Sequence, residues 1–146
     1  MARVRVLFLC IGNSCRSQMA EGFARQYGAD VMEPHSAGLA PAALVAPLTA
    51  KVMLEKNMDI SSQFPKGLEA VPHGPFDLVI NMSGQRVPAP QGVLVEDWKV
   101  RDPMGLSEEV FREVANDVEQ RVMRLVLMLR AKQQQERPAA PPRRRI

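Results

Sequence analysis

Cysteine is scarce in this chain of 146 residues, which contains only Cys10 and Cys15. Two cysteines are too few for the disulfide framework of a small secreted domain, and their spacing is not that of a C-x-x-C motif. The two histidines, His35 and His73, belong to no cluster that would complete a zinc site. This scarcity excludes a disulfide scaffold and a structural zinc centre, and it leaves a catalytic or redox use for the cysteines.

Long apolar runs, nucleotide-binding motifs and internal repeats are also missing. No apolar run approaches the roughly 18 residues that a membrane helix needs, and the N-terminus has no signal-peptide pattern, so we expect a cytoplasmic protein without membrane contacts. Neither G-x-x-x-x-G-K-[ST] nor G-x-G-x-x-G occurs, which excludes the common nucleotide and dinucleotide loops. The net charge of +3 is carried by residues 133–146, so we expect no nucleic-acid surface on the remainder.

Short apolar segments alternate with segments of helical periodicity, and 46% of the residues are hydrophobic against 24% charged. Strands alternating with helices indicate a parallel sheet with helices on both faces. We therefore predict one catalytic α/β domain over residues 1–132, a three-layer fold with a four-stranded parallel twisted sheet, and a disordered basic tail over residues 133–146. The predicted strands span residues 4–9, 31–36, 76–82 and 92–98, and the predicted helices span residues 17–27, 48–56 and 108–132.

One strand–loop–helix unit near the N-terminus is suited to binding an anion. Cys10 follows the first strand, and the loop of residues 10–16, CIGNSCR, leads into the first helix. Such a loop lies at the carboxyl end of a strand, where backbone N–H groups and the helix dipole bind anions. Gly12 and Asn13 tolerate the left-handed backbone that the turn requires. The residues predicted to form the oxyanion-binding loop are Ile11, Gly12, Asn13, Ser14, Cys15, Arg16 and Ser17.

Cys10 is the candidate nucleophile of this loop. The surrounding amide dipoles would stabilise its thiolate, and Ser17 could donate a hydrogen bond to the sulfur. Arg16 could bind two oxygens of a phosphate or an arsenate at once, which a lysine cannot do. The implied reaction is the attack of a cysteine thiolate on a bound tetrahedral oxyanion. Cys15 is either a core residue or a redox partner that traps Cys10 in a disulfide under oxidation.

The loop and its flanks resemble those of a known family. The pattern C-x5-R after a buried strand, followed by Ser17 and Met19-Ala20-Glu21, is similar to the low-molecular-weight protein tyrosine phosphatase superfamily, which includes the thioredoxin-coupled arsenate reductases. The run NSCRSQMAEG over residues 13–22 resembles the reductase branch more closely. This resemblance implies a cysteine-dependent phosphatase or arsenate reductase with a low-molecular-weight phosphatase-like fold and no cofactor.

The resemblance also implies roles outside the loop. Asp102, in the sequence RDP, matches the family's aspartate that protonates the leaving group and later assists water. Asn13 and Ser36 resemble the polar pair that supports the loop, and Glu21 would join a cation site beside it. Lys66 falls near the next acidic cation ligand of the reductases. Because that departure argues against a potassium site, we predict no metal.

Two departures from the family bear on the reaction. The reductases relay oxidation through two further cysteines after the third strand, whereas here Ser83 stands at the first position and Ala89 or Pro90 near the second. An internal disulfide cascade cannot run without those thiols. The phosphatases place tyrosines after the Asp-Pro pair and an aromatic wall beside the loop, whereas here Met104 follows and residues 40–50 contain no aromatic residue.

The residues present favour the hydrolysis of phosphate monoesters through a cysteinyl-phosphate intermediate, with Cys10, Arg16 and Asp102 as the catalytic residues. The first alternative is arsenate reduction, for which thioredoxin, glutaredoxin or a small thiol would have to supply the electrons. The second alternative is a non-catalytic module that binds phosphate or arsenate. The expected ligands are therefore phosphate, arsenate, or a phosphorylated small molecule or protein.

Overall fold

A four-stranded parallel sheet forms the centre of the fold. The computed structural model describes residues 3–72 and 75–136. The strands lie in the order β2-β1-β3-β4, and every neighbouring pair is parallel. They are β1 (Val4–Cys10), β2 (Met32–Gly38), β3 (Leu78–Asn81) and β4 (Leu94–Asp97). The helices are α1 (Arg16–Gly28), α2 (Pro47–Glu55) and α3 (Glu108–Gln135), with a 3-10 helix at Leu68–Ala70. The predicted fold class, α/β with a four-stranded parallel sheet, is confirmed.

β1 is a central strand, and it is buried on both of its faces. Val6 and Phe8 belong to one core, whereas Leu7 and Leu9 belong to another, because side chains alternate along a strand. Burial on both faces explains why the strand is a continuous apolar run rather than an alternation of apolar and polar residues. Cys10 is its last residue, so the strand places the candidate nucleophile at the carboxyl edge of the sheet.

The three α-helices contribute to the larger core, which contains Phe8. At the end of α1, Gly28 allows a close approach to α3, because a Cβ atom there would lie 2.6 Å from Val126 Cγ2. α3 begins as predicted, with the Ser107 hydroxyl accepting a hydrogen bond of 3.3 Å from the N–H of Val110. Its apolar stripe is buried along most of the helix. The buried residues of that stripe are Phe111, Val114, Ala115, Val118, Val122, Leu125, Val126 and Leu129.

The other core is smaller, and none of its described residues comes from an α-helix. Its buried members are Leu7, Leu9, Ala37 and Val79, and the half-buried residues packed against them are Val71, Phe76, Val87, Val93 and Val95. Within residues 3–72 and 75–136, the short 3-10 helix is all that represents the predicted helical layer on this side. Proline lacks the N–H that an α-helix interior needs, which explains the loops here. The prolines of the covering segments are Pro65, Pro72, Pro75, Pro88 and Pro90.

The C-terminal helix is longer than the sequence pattern predicted. α3 ends at Gln135, three residues past the expected boundary at residue 132. Lysine and glutamine are good helix formers, and the first helix-breaking residue, Pro138, comes only later in the chain. Residues 137–146 of the predicted tail lie outside the described residues. Over the described ranges, no helix combines the length and the apolar character needed to cross a membrane.

Candidate active site

The loop between β1 and α1 borders a small cavity at the carboxyl edge of the sheet. Cys10 lies at this cavity and is only 2% exposed. The cavity has a volume of about 150 Å³. It is lined by Cys10, Ile11, Gly12, Ser14, Cys15, Arg16, Ala42, Asp102 and Met104. The structure therefore brings together the three predicted catalytic residues, although Asp102 is distant from the other two in sequence.

The loop's backbone carbonyls are occupied by the segment that follows β2. The N–H of Ala40 donates to the carbonyl of Ile11 at 2.8 Å, and the N–H of Ala42 donates to the carbonyl of Gly12 at 2.9 Å. The N–H groups of residues 12–15 donate to no described residue. Because its carbonyls are engaged on the outer side, the loop has N–H groups left to bind an oxyanion. Sequence reasoning did not predict this contact between the two loops.

The conformation of the loop differs in one respect from the prediction. Asn13 adopts the left-handed backbone with φ of +50°, as predicted, but Gly12 is not among the described residues with positive φ. The glycine that the loop requires is Gly38, at the end of β2. A Cβ atom on Gly38 would lie 2.7 Å from the carbonyl oxygen of Ile11 and 2.8 Å from the nitrogen of Asn13. Only a glycine allows β2 to approach the loop this closely.

Asn13 and Ser17 form a buried chain of hydrogen bonds that leads to the sulfur. Asn13 Oδ1 accepts hydrogen bonds of 3.0 Å from Gln18 Nε2 and from the backbone N–H of Lys66. Asn13 Nδ2 then donates to Ser17 Oγ at 2.7 Å, and Ser17 Oγ lies 2.8 Å from Cys10 Sγ. The predicted hydrogen bond between Ser17 and the sulfur is present. Gln18, which sequence reasoning missed, is fully buried and also donates to the carbonyl of Asn13.

Arg16 is buried, and one end of its guanidinium is anchored by backbone carbonyls. Nη1 donates to the carbonyls of Met82 and Val100, which lie just after β3 and β4. Nη2 lies 3.6 Å from Asp102 Oδ2. Nε makes no hydrogen bond to a described residue, so Nε and Nη2 present the N–H edge that is left for two oxygens of an anion. The anchoring carbonyls could not be identified from the sequence, because they come from two loops that are distant along the chain.

Asp102 and Met104 line the same cavity from a segment that is distant from the loop along the chain. The Asp102 side chain is 50% exposed, and its Oδ1 accepts a hydrogen bond of 3.1 Å from the N–H of Met104. The carboxylate therefore has one oxygen tied to its own turn and the other directed towards Arg16. Met104 is 54% exposed. The wall after the Asp-Pro pair is thus a flexible thioether rather than an aromatic ring.

Cys15 is a buried thiol at the edge of the same cavity. Its sulfhydryl donates to the Met104 sulfur at 3.2 Å. Burial raises the pKa of the Cys15 thiol above its ordinary value. The residue is at once part of the core and close to Cys10, so both roles considered for it from the sequence remain predictions.

Glu21 and Ser36 meet behind the loop, at a buried site that includes Lys66. The Ser36 hydroxyl donates to Glu21 Oε1 at 2.5 Å, and Arg25 Nη2 lies 2.8 Å from Glu21 Oε2. Lys66 Nζ lies 3.9 Å from Glu21 Oε1. Burial lowers the pKa of the Lys66 ammonium, and the Glu21 carboxylate opposes that change. Ser36 and Asn13, which the resemblance treats as a pair, therefore have different partners. Ser36 contacts Glu21, whereas the Asn13 side chain contacts Ser17, Gln18 and the backbone of Lys66.

The turn after β3 is fixed by Asn81. Asn81 Oδ1 accepts hydrogen bonds from the Ser83 hydroxyl at 2.6 Å and from the Ser83 N–H at 3.1 Å, while its Nδ2 donates to Asp97 Oδ1 at 3.0 Å. Ser83, which the resemblance aligns with the first relay cysteine, is therefore held in this turn by two hydrogen bonds to Asn81. In the described part of the chain, no group of three or more His, Cys, Asp or Glu side chains is placed to hold a metal ion.

The chain is similar to one protein family and to curated proteins over most of its length. The model of the family described as "Low molecular weight phosphotyrosine protein phosphatase" matches residues 5–135. The "Glutaredoxin arsenate reductase" of Synechocystis sp. is 40% identical over 126 residues, which cover 84% of this chain and 95% of that protein. The "Arsenate reductase" of Bacillus subtilis is 36% identical over 127 residues, covering 80% of this chain and 91% of that protein.

Solved structures that superpose on this chain include an arsenate reductase and a phosphatase. A structure described as an arsenate reductase in the phosphate binding state superposes with a TM-score of 0.77 at 39% identity, covering 86% of this chain and 98% of the other. An arginine phosphatase from Geobacillus stearothermophilus superposes with a TM-score of 0.76, covering 94% of this chain and 99% of the other. Its identity is 21%, so the second similarity is one of fold alone.

Proposed function

The chain belongs to the low molecular weight phosphotyrosine protein phosphatase family, whose enzymes are cysteine-dependent, and from this premise we propose that it reduces arsenate with an external thiol. The sequence alone put phosphate-ester hydrolysis first. Two observations reverse that order. The cavity at Cys10 is small, and none of its described lining residues is aromatic. The relatives at 36 and 40% identity, which match this chain over more than nine-tenths of their own length, are named arsenate reductases. A cavity of about 150 Å³ suits a free tetrahedral anion better than an aryl ester.

In the first step, arsenate binds between the loop N–H groups and the free edge of Arg16. The Cys10 thiolate attacks the arsenic atom, and an As–O bond breaks as an S–As bond forms. Asp102 delivers the proton with which the departing oxygen leaves as water. Ser17 stabilises the thiolate by donating to Cys10 Sγ, from which it lies 2.8 Å away. The product is a cysteinyl arsenate in which arsenic is still As(V).

In the second step, the electrons come from a thiol outside the chain. Its thiolate attacks Cys10 Sγ, the S–As bond breaks, and the electron pair stays on arsenic, which leaves as As(III) in arsenite. Cys10 is then in a mixed disulfide with the reductant. A second thiol attacks that disulfide and restores the Cys10 thiol. Overall, one arsenate and two thiols give one arsenite, one disulfide and one water.

The external reductant follows from the residues after β3. Ser83 occupies the position where the reductases have their first relay cysteine, and its hydroxyl cannot take part in thiol–disulfide exchange. The Ser83 hydroxyl also donates a hydrogen bond of 2.6 Å to Asn81 Oδ1, which fixes the turn. The candidate reductants are glutaredoxin, thioredoxin or a small thiol. Glutaredoxin is the first choice, because it is named in the relative at 40% identity.

Phosphate-ester hydrolysis is the second candidate. Asp102 lies at the cavity with its side chain half exposed, where it could protonate an ester oxygen and later activate water. Ala42 and the flexible Met104 side chain line the cavity, and they leave room for a small ester more readily than a rigid ring would. A non-catalytic binding module would have no use for this carboxylate, so it ranks third.

The experiment that tests the proposal compares reductants and substrates on one preparation. Arsenate is supplied with glutathione and glutathione reductase, with the same pair plus glutaredoxin, or with thioredoxin and thioredoxin reductase. NADPH is present in each arm, and its consumption is followed. Release of p-nitrophenol from its phosphate ester is measured in parallel. We expect arsenate-dependent thiol oxidation that is lost in Cys10→Ser and retained in Ser83→Ala. Faster ester hydrolysis with no arsenate-dependent oxidation would make the second candidate the function, and binding without either turnover would leave the third.

A further inference from the structure

A second cavity lies on the sheet face against which no α-helix of the described part of the chain packs. Its volume is about 570 Å³, and its floor is formed by the buried side chains of Leu7, Leu9 and Val79. Its walls include Val71, Val87 and Val93, which come from the loops that cover this face. Volumes of roughly 300 to 1,000 Å³ with mainly apolar walls are typical of sites for organic ligands. The cavity is thus large enough for a molecule of two fused rings.

The loops that form the walls of this cavity are rich in proline, and this keeps the cavity open. The covering segments contain Pro72, Pro75, Pro88 and Pro90, whose fixed backbone prevents them from folding into a helix that would fill the space. Leu68, at the rim, is 46% exposed even though it is apolar. An apolar surface that stays open to solvent in the folded chain loses the stabilisation that burial would give. An apolar ligand would recover that stabilisation.

The charged groups at the rim select the kind of ligand. Arg86 lines the cavity, is exposed, and makes neither an ion pair nor a hydrogen bond to any residue that the structure describes. Glu69 also lines the cavity, but its carboxylate is folded back over Gly67, where a Cβ atom would lie 2.6 Å from both of its oxygens. Among the described residues at the rim, the Arg86 guanidinium is therefore the group with N–H donors left for a ligand, and a guanidinium binds carboxylates, sulfonates and phosphates through paired N–H groups.

We propose that this cavity binds a small amphipathic anion, with its apolar body on Leu7, Leu9 and Val79 and its anionic group on Arg86. The occupant is an organic molecule with an apolar body of one or two rings and a single acidic group. The two cavities share no described lining residue, so this site is separate from the one at Cys10. Binding therefore does not depend on the proposed reaction, and a chain without the nucleophile should bind equally well.

Two fluorescent probes that differ in charge test the proposal. 8-Anilino-1-naphthalenesulfonate has an apolar two-ring body and a sulfonate, and N-phenyl-1-naphthylamine is its uncharged parent. Titrations use the full chain with Cys10→Ser, so that thiol chemistry does not interfere. We expect saturable binding of both probes with one site each. Arg86→Gln should weaken the sulfonate about tenfold and leave the neutral probe unchanged, because only the anion uses the guanidinium.

The control variants separate this site from general surface binding. Arg124→Gln removes an exposed arginine of α3 outside the cavity lining, and it should leave both titrations unchanged. Val93→Trp fills the cavity and should abolish binding of both probes. Each variant is checked for cooperative thermal unfolding, because partly unfolded chains also bind such dyes. If Val93→Trp does not unfold cooperatively, the proposal is tested by comparing sulfonate binding in Arg86→Gln, which should be weakened, with that in Arg124→Gln, which should be unchanged. Unsaturable binding, or equal effects of the two arginine variants on the sulfonate, would overturn the proposal.

Discussion

Asn13 Nδ2 lies 2.7 Å from Ser17 Oγ, and this contact fixes the direction of the Ser17 hydroxyl proton. The amide orientation of Asn13 is certain, because its Oδ1 accepts from the backbone N–H of Lys66, which can only donate. The Ser17 oxygen is therefore an acceptor towards Asn13. Its own proton is left to donate to Cys10 Sγ at 2.8 Å. The loop thus stabilises the charged sulfur with a hydroxyl that is itself oriented by a residue three positions beyond Cys10.

The first prediction concerns Ser17. Ser17→Ala removes the hydroxyl that donates to the sulfur, and a hydrogen bond to a charged group is worth about 1.5–3 kcal/mol. We expect kcat/KM to fall about tenfold to a hundredfold, and the rate of Cys10 alkylation by iodoacetamide at neutral pH to fall in the same direction. Asn13→Ala should act in the same sense. Alkylation at an unchanged rate in Ser17→Ala would mean that the hydroxyl does not stabilise the thiolate.

The second prediction concerns Asp102. Asp102→Asn cannot deliver a proton to the leaving oxygen, so kcat should fall by about 10²- to 10⁴-fold. Phosphate binding, measured by calorimetry, should be retained or become tighter, because a carboxylate 3.6 Å from Arg16 Nη2 no longer competes with the anion. Loss of phosphate binding together with turnover would instead assign Asp102 a structural role in holding Arg16.

The third prediction concerns the cation requirement. Lys66 Nζ, 3.9 Å from Glu21 Oε1, already places a monovalent positive charge beside the buried carboxylate. We expect turnover to be the same in sodium chloride and potassium chloride at equal ionic strength. Lys66→Met should lower the free energy of unfolding by about 1–3 kcal/mol, because the carboxylate loses a charged neighbour. A response of the unmodified chain to potassium would contradict the prediction.

The fourth prediction concerns Cys15 under oxidation. Burial raises the pKa of this thiol, so at neutral pH it stays protonated, and a thiol attacks a sulfenic acid far more slowly than a thiolate. After treatment with hydrogen peroxide, we expect dimedone to trap the Cys10 sulfenic acid equally well in the unmodified chain and in Cys15→Ser. Mass spectrometry reads out both products. A Cys10–Cys15 disulfide that forms before the trap acts would show that Cys15 is the redox partner.

The fifth prediction uses the single tyrosine of the chain. Burial and the hydrogen bond that Tyr27 donates to Glu119 at 2.7 Å raise the pKa of Tyr27 to about 12. The ultraviolet titration of phenolate should therefore have its midpoint near 12 and move down in Glu119→Gln. Because the pKa is raised above the unfolded value of about 10, the stabilisation is complete below that pH and is lost as the pH rises through 12. A midpoint near 10 would mean that the contact is not maintained in solution.

The sequence by itself determined those elements that depend only on residues close together along the chain. The apolar run ending at Cys10, the C-x5-R loop and the stripe of α3 were all identified from the sequence, because strand and helix periodicities place residues two, three or four positions apart on one face. The N-cap at Ser107 followed from the same kind of local rule. The fold class followed from the alternation of these elements.

The tertiary structure decided the contacts between segments that are distant along the chain. Only the approach of the end of β2 to the loop after β1 explains why Gly38 must be glycine. Only the meeting of the two later loops provides the carbonyls of Met82 and Val100 that anchor Arg16. The position of Lys66 beside Glu21 is of the same kind. Such contacts form between residues whose separation along the chain follows no fixed period, so the sequence by itself carries no local pattern from which they could have been derived.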